Sequence, residues 1–236
     1  MLALLYDVHG NLPALEAVLE DASGAGAERY LLGGDYALFG PWPAETVTRL
    51  RKLENATWIR GNVDRWTAEG VEDETNMRAI ADCRRELGAD TVAELGALPE
   101  QVVLDGVRYC HASPVSDMRA IWPEPGEDED ELVAGVGERR IVFGHTHLAF
   151  ARTRPDGLEL VNPGSVGQPW DGDPRAAYAL VHGDGRLEHR RVPYEHERSA
   201  AACRERFGDA EWAVRSERRL LPRARASSRS VRWCGP

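Results

Sequence analysis

The sequence predicts an α/β fold in which two sheets pack face to face with helices outside. Three observations carry that expectation. Short apolar runs of strand preference, at 2–6, 28–32, 56–60, 107–110 and 141–143, each end in a polar cluster. The first three are separated by helical patterns, the grammar of parallel strands. Three turn signals, Asp105-Gly106, Pro155-Asp-Gly157 and Gly183-Asp-Gly185, mark hairpins and shift the second half toward antiparallel pairing.

Taken in order, residues 2–6 run as a strand into Asp7-Val-His9-Gly10. Asn11 then caps a helix over 12–22, with Pro13 in its first turn and Leu15, Val18, Leu19 and Ala22 at helical spacing. Ser23-Gly-Ala-Gly26 stops it, and 28–32 reads as a buried strand ending in Gly33-Gly34-Asp35. After the loop 36–43 a second helix runs to about residue 53, and 56–60 is a third strand delivering Gly61-Asn62-Val63-Asp64. In open α/β sheets ligands gather at this carboxyl edge, where the strand-to-helix loops collect. Residues 67–100 are highly charged and helix-compatible, and are expected to be a helical insertion beside the Asn62 loop, a candidate lid.

The Asp105-Gly106 hairpin returns a strand that ends at His111. An acidic helix near 127–137 leads to Ile141, Val142 and Phe143, and Gly144 closes that run just before His145-Thr-His147. In extended chain these two histidines project to one side, roughly 6.6 Å apart at about 3.3 Å per residue. That suits two ions about 3.5–4 Å apart, with one imidazole on each.

The 236 residues are read as one domain, 1–214, followed by a basic extension, 215–236, expected to be loosely held. The net charge of −10 excludes broad, sequence-independent nucleic-acid binding. The extension carries seven Arg and one Glu, leaving −16 on the rest. No stretch is long and apolar enough to span a membrane and no secretion signal precedes the first strand, so a cytoplasmic protein is expected. Cys83, Cys110, Cys203 and Cys234 show no metal or disulfide spacing. A homo-oligomer is compatible with the sequence.

The polar residues at strand ends are Asp7, His9, Asp35, Asn62, His111, His145 and His147, including four of the seven histidines. Carboxylate, imidazole and amide donors without thiolate suit Mn²⁺, Fe²⁺, Zn²⁺ or Ni²⁺ rather than a structural zinc site. Asp35, between the first pair and the later ligands in chain order, is the natural bridge.

Asp7-Val-His9, Gly34-Asp35, Gly61-Asn62, His111 and Gly144-His-Thr-His147 resemble the five ordered blocks of the calcineurin-like metallophosphoesterase superfamily. Asn162-Pro-Gly-Ser-Val-Gly167 extends the likeness toward its small bacterial and archaeal phosphodiesterase branch. The resemblance implies a four-layer αββα sandwich and two divalent ions, Mn²⁺ foremost. Asp7, His9, Asp35 and His147 would hold one ion, and Asp35, Asn62, His111 and His145 the other. Asp35, Asn62 and His111 are the expected catalytic residues.

It further implies hydrolysis of a small soluble phosphodiester or phosphomonoester, nucleotides included, by a hydroxide bridging the two ions. The alternative is a non-catalytic protein-binding scaffold of the same fold. Val63 departs from the family, many members of which place a proton-donating histidine there; Asp64 is one substitute. Asn162–Gly167 reads either as a turn-rich link or as a phosphate border. Phe39, Trp42 and Trp66 are expected in loops near the ligand edge, either packed beneath them or stacked on a base. Arg60 and Arg65 flank the Asn62 segment and reach either a phosphate or a nearby acid. Cys110 should point into the core, and His182, His189 and His196 are expected to be exposed.

Overall fold

The computed structural model describes residues 1–221. In chain order its first half runs β1 (Leu2–Leu5), α1 (Leu12–Gly24), β2 (Arg29–Leu32), α2 (Pro43–Leu50), β3 (Ala56–Trp58), α3 (Asn62–Glu69), α4 (Glu74–Leu87) and α5 (Ala89–Gly96). The second half runs β4 (Gln101–Leu104), β5 (Val107–Cys110), α6 (Glu129–Leu132), β6 (Arg140–Val142), β7 (Phe150–Thr153), β8 (Glu159–Asn162), β9 (Ala176–Val181), β10 (Leu187–Val192), α7 (His196–Phe207) and α8 (Glu211–Leu220).

These strands form two mixed five-stranded sheets, ordered β10-β9-β1-β2-β3 and β4-β5-β6-β8-β7. The expected parallel start is present, with Leu2 opposite Arg29 and Tyr30 opposite Ala56. All three turn signals close antiparallel pairs: β4 with β5, β7 with β8, and β9 with β10. A period of two decides the layering. Leu2, Leu4 and Tyr6 face the gap between the sheets, where they meet Tyr109, Val142 and Val161. Ala3 and Leu5 face the opposite way, toward Leu15, Val18 and Leu19 of α1. Cys110, Ile141, Phe143 and Leu160 cover the outer face of the second sheet, and Cys110 sits in that core as expected. The Tyr6 hydroxyl donates across the gap to the Val142 carbonyl (3.2 Å), tying the sheets together beside the loops that follow β1 and β6.

Several boundaries move. The second helix stops at Leu50, and the acidic helix shrinks to Glu129–Leu132 because Gly135, at φ +76°, leaves the helical region. Residues 67–100 are helical as expected. However, α3 begins at Asn62 itself, so Asn62 and Trp66 lie on a helix and not in a loop. The expected boundary at 214 falls inside α8. Arg215–Leu220 is helix with Ser216 and Leu220 buried, so this part of the expected loose extension is packed. Residues 222–236, with Cys234, lie outside the described residues. Among the described residues no helix is long and apolar enough to cross a membrane.

Two buried carboxylates lock helices to the loops around the polar cluster. Asp64 accepts backbone N–H groups from Asp35 (2.8 Å), Gly61 (2.9 Å) and Tyr36 (3.1 Å), fastening α3 to the loop after β2. Asp82 on α4 accepts from the Trp212 indole of α8 (3.0 Å) and from Arg78 and Arg85. Burial raises the Asp82 carboxyl, but these donors outweigh it and hold the group below the usual carboxylate range.

Asp64→Ala strands three buried N–H groups and is expected to cost about 3 kcal/mol or more, measured by denaturant unfolding. Because the folded Asp82 carboxyl sits below its unfolded value, its charged form stabilises the fold at neutral pH, and that contribution is lost as pH falls through its depressed folded value. Asp82→Asn is therefore expected to cost about 1–2 kcal/mol at pH 7 and progressively less below about pH 4, read from unfolding curves at both pH values.

Candidate active site

The seven side chains singled out in the sequence meet at the carboxyl edge of the sheets. Two groups form: Asp7 with His9 and His147, and Asp35 with His111 and His145, the ligand atoms of each group lying within 4.8 Å of one another. Asn62 joins the second, its Oδ1 accepting from His111 Nε2 and His145 Nδ1 at 2.9 Å each. Asp35 lies between the groups, its Oδ2 being 3.3 Å from His111 Nε2 and 3.7 Å from His9 Nε2. Apart from the half-buried His145, all seven are buried.

The local backbone is unusual. Asp7, His9, Asp35, His145 and His147 all have φ between 46° and 64°, the left-handed region that side chains disfavour. The extended geometry expected for His145-Thr-His147 is therefore replaced by a tight turn, which sends the two imidazoles to different groups. Cross-links hold these conformations. His9 N donates to the Asp35 carbonyl (2.8 Å), and His145 N donates to Asp7 Oδ2 (3.0 Å). Gly144 and Gly61 are required by close approach: a Cβ at Gly144 would stand 2.6 Å from Asp7 Oδ2, and one at Gly61 would stand 2.1 Å from Asp35 Oδ1.

Second partners set the imidazole tautomers. His9 Nδ1 donates to the Leu38 carbonyl (2.9 Å), His111 Nδ1 to Gly33 (2.9 Å) and His147 Nδ1 to Gln168 (2.6 Å). A carbonyl can only accept, so each Nδ1 carries a proton and each Nε2 faces the cluster. The His9 and His147 Nε2 atoms lie only 3.2 Å apart. Burial holds both rings below the usual imidazole value, and for His9 the charges of His111 and Arg219 add to the lowering. Burial also lowers His145, to about 4. His111 behaves oppositely: burial lowers it, but Asp35 and Asp7 outweigh burial and push it up to about 10. Burial raises Asp7 well above the carboxylate range. Burial also raises Asp35, yet the His111 charge and hydrogen bond outweigh it and leave the group depressed.

Asp7 Oδ1 is buried without a hydrogen-bond partner, 3.6 Å from His147 Nε2 and 3.9 Å from His111 Nε2. An unpaired carboxyl oxygen facing the unprotonated Nε2 of His147, with the His111 Nε2 proton shared among Asn62 and Asp35, is a donor set that divalent cations fit and that neutral packing does not explain.

The remaining expectations divide. Asn162–Gly167 is a brace: Val166 N and Gly167 N donate to the Tyr6 and Asp7 carbonyls (3.0 Å each), and Gly164 N donates to Asn162 Oδ1 (2.9 Å). Those amides are consumed inside the fold and form no phosphate border. Arg65 pairs with Asp117 through two nitrogens, at 2.6 and 2.9 Å, and Arg60 pairs with Glu100, so both hold acids. Asp64, with its carboxylate taken by three N–H groups and outside the cavity lining, serves as an anchor, although burial and the Asp35 charge raise its carboxyl to about 7.

A cavity of about 660 Å³ opens over the two groups. Phe39, Val63 and Trp66 line it and Trp42 does not. His189 is exposed as expected, whereas His182 and His196 are half-buried. Gln168, Trp170, Trp122 and Arg219 also line the cavity, and no local sequence pattern marks them because none belongs to a strand-end cluster.

Residues 1–186 match the family model of the calcineurin-like phosphoesterase superfamily domain. The chain is 30% identical over 219 residues to an uncharacterised protein of Methanocaldococcus jannaschii, covering 83% of this chain and 88% of that one. It is 27% identical over 197 residues to phosphodiesterase YfcE of Escherichia coli, covering 78% and 89%. A metallophosphoesterase from Sphaerobacter thermophilus superposes with a TM-score of 0.78 at 27% identity, over 93% of this chain and 99% of that one. A Pyrococcus horikoshii protein at 21% identity shares the fold, with a TM-score of 0.80 over 96% and 100%. The matched residues include all seven convergent side chains, and the chain therefore belongs to the calcineurin-like phosphoesterase superfamily, a family of metal-dependent phosphoester hydrolases.

Proposed function

We propose that this hydrolase is a dinuclear phosphoesterase acting on small soluble phosphodiesters or phosphomonoesters. The observation that supports this most is the pair of buried ligand groups on either side of Asp35, with Asp7 Oδ1 unpaired between ring nitrogens. Asp7, His9, Asp35 and His147 would hold one divalent ion, and Asp35, Asn62, His111 and His145 the other, with Mn²⁺ the best match. When bound, two such ions polarise a phosphoryl oxygen and lower the pKa of water.

The chain's own residues do the rest. The carbonyls of Leu38, Gly33 and Gln168 fix three imidazoles with Nε2 forward, so the ligands need no rearrangement. The proton that His111 shares with Asn62 and Asp35 must leave when a cation arrives. Asn76 of α4 lines the cavity, in keeping with a lid role for 67–100, and Trp66 of α3 lines it just ahead of that segment. The cavity suits a small substrate. Free, buried Cys83, Cys110 and Cys203 fit a cytoplasmic setting.

Asp35→Asn is expected to lower Mn²⁺-dependent kcat/KM on bis-p-nitrophenyl phosphate by roughly a thousandfold and to reduce bound Mn²⁺ below two per chain. A scaffold would instead show no metal-dependent turnover in either protein. With Val63 lining the cavity and the Asp64 carboxylate engaged by three N–H groups, neither residue serves as an efficient acid for the leaving oxygen. Esters of p-nitrophenol are expected to outpace alkyl esters by about a hundredfold or more, and Val63→His should flatten the dependence of kcat/KM on leaving-group pKa.

A further inference from the structure

The family match ends at residue 186, yet α8, at 211–220, forms one side of the cavity over the metal-ligand groups. Its placement is built in. Trp212 is buried against Phe207 and its indole donates to Asp82, while Ala213, Ser216 and Leu220 are buried beneath it. Arg215 and Arg219, one turn apart, consequently line the same cavity. The Arg219 guanidinium lies 4.8 Å from the centre of the Trp170 ring, and Trp170 in turn lies 4.7 Å from the His147 ring. A chain of ring contacts, His147 to Trp170 to Arg219, thus runs from the ligand cluster to α8.

The wall also carries the aromatic side chains Phe39, Trp66 and Trp122. Two polar atoms on it, Trp170 Nε1 and Gln168 Oε1, are buried without a hydrogen-bond partner among the described residues. Gln168 is 1% exposed, and its amide nitrogen is already spent on the Phe39 carbonyl. One orphan donor and one orphan acceptor on an aromatic wall point to a ligand that offers both, because protein packing does not leave such groups unpaired without reason.

We infer that α8 and Trp170 form a specificity wall that selects substrates bearing a heteroaromatic ring and a second, non-scissile anionic group. This rests on the phosphoesterase reading, since that reading places the scissile phosphate over the ligand groups. The Arg219 guanidinium lies over the Trp170 ring and lines the cavity beside the ligand groups, and arginine is the side chain whose planar fork suits phosphate oxygens. The aromatic side chains offer ring faces on which a planar heteroaromatic group can stack.

The test uses full-length protein and three probes, ADP, AMP and inorganic pyrophosphate. Dissociation constants are measured by calorimetry without metal, and inhibition constants against bis-p-nitrophenyl phosphate with Mn²⁺. ADP is expected to bind at least tenfold more tightly than either AMP, which lacks the second phosphate, or pyrophosphate, which lacks the ring. Arg219→Ala should bring the ADP-to-AMP ratio below about threefold in both measurements. Arg219→Lys, which keeps the charge, should retain an intermediate ratio and guards against a folding defect. Trp170→Phe, which keeps the ring face and removes the Nε1 donor, should narrow the ADP-to-pyrophosphate ratio. An ADP-to-AMP ratio unchanged by Arg219→Ala, or an initial ratio near one, overturns the wall. Preferential ADP binding that depends on Arg219, in a protein with no metal-dependent hydrolysis, supports the wall and overturns the phosphoesterase reading instead.

Discussion

Two aspartates, Asp7 and Asp35, are buried at the junction of the sheets among four histidines, and much of the fold can be understood as the means of keeping them there. An isolated carboxylate is driven toward its neutral form in such a place. Here the two respond in opposite directions. His111 keeps Asp35 ionised, while Asp7 is raised by burial and retains an oxygen with no partner. Three imidazoles are denied the alternative of turning their Nε2 atoms outward, because Nδ1 of each is committed to a main-chain carbonyl. The result is a concentrated set of electron donors whose mutual repulsion a cation relieves.

The same demand explains the backbone. Five of the seven side chains are aimed inward from left-handed conformations, each of which costs on the order of 1–3 kcal/mol. They persist because neighbouring segments over-determine them. The loop after β1 is hydrogen-bonded to the loop after β2, to His145 and to the brace at Asn162–Gly167, so no one of these segments can relax alone. Tyr6 pins the two sheets at the same level. Gly61 and Gly144 are not there for flexibility: a side chain at either position would occupy the space of an aspartate carboxylate.

Around this rigid centre the helices are the variable part of the design. α3 carries both a ligand-group residue, Asn62, and a cavity residue, Trp66, so its attachment through Asp64 serves the cluster and the cavity together. α8 reaches the cavity from the far end of the chain, held by an indole-to-carboxylate bond to α4. Its basic residues face a centre rich in acceptors, whereas most of the chain's surface charge is acidic.

The sequence by itself determined the alternation of strands and helices, the three hairpins and the seven polar residues at strand ends, because a period of two, a period near 3.6 and turn chemistry are local properties. It also exposed the family blocks, since each is a few contiguous residues. Other features were decided only in three dimensions. The roles of Asp64, Arg60 and Arg65 depend on which N–H groups or acids come within reach, and the two residue types can serve chemistry or structure equally well. The turn at His145-Thr-His147 overrides strand preference because Asp7, far away in sequence, captures the His145 amide. Arg215, Arg219, Trp122 and Trp170 carry no local pattern at all; the two arginines become neighbours of the site because buried packing fixes α8 along one side of the cavity, and the two tryptophans because their loops close onto it. Local periodicity fixes what each segment becomes, whereas the neighbours of a buried polar atom are set by long-range closure of the fold.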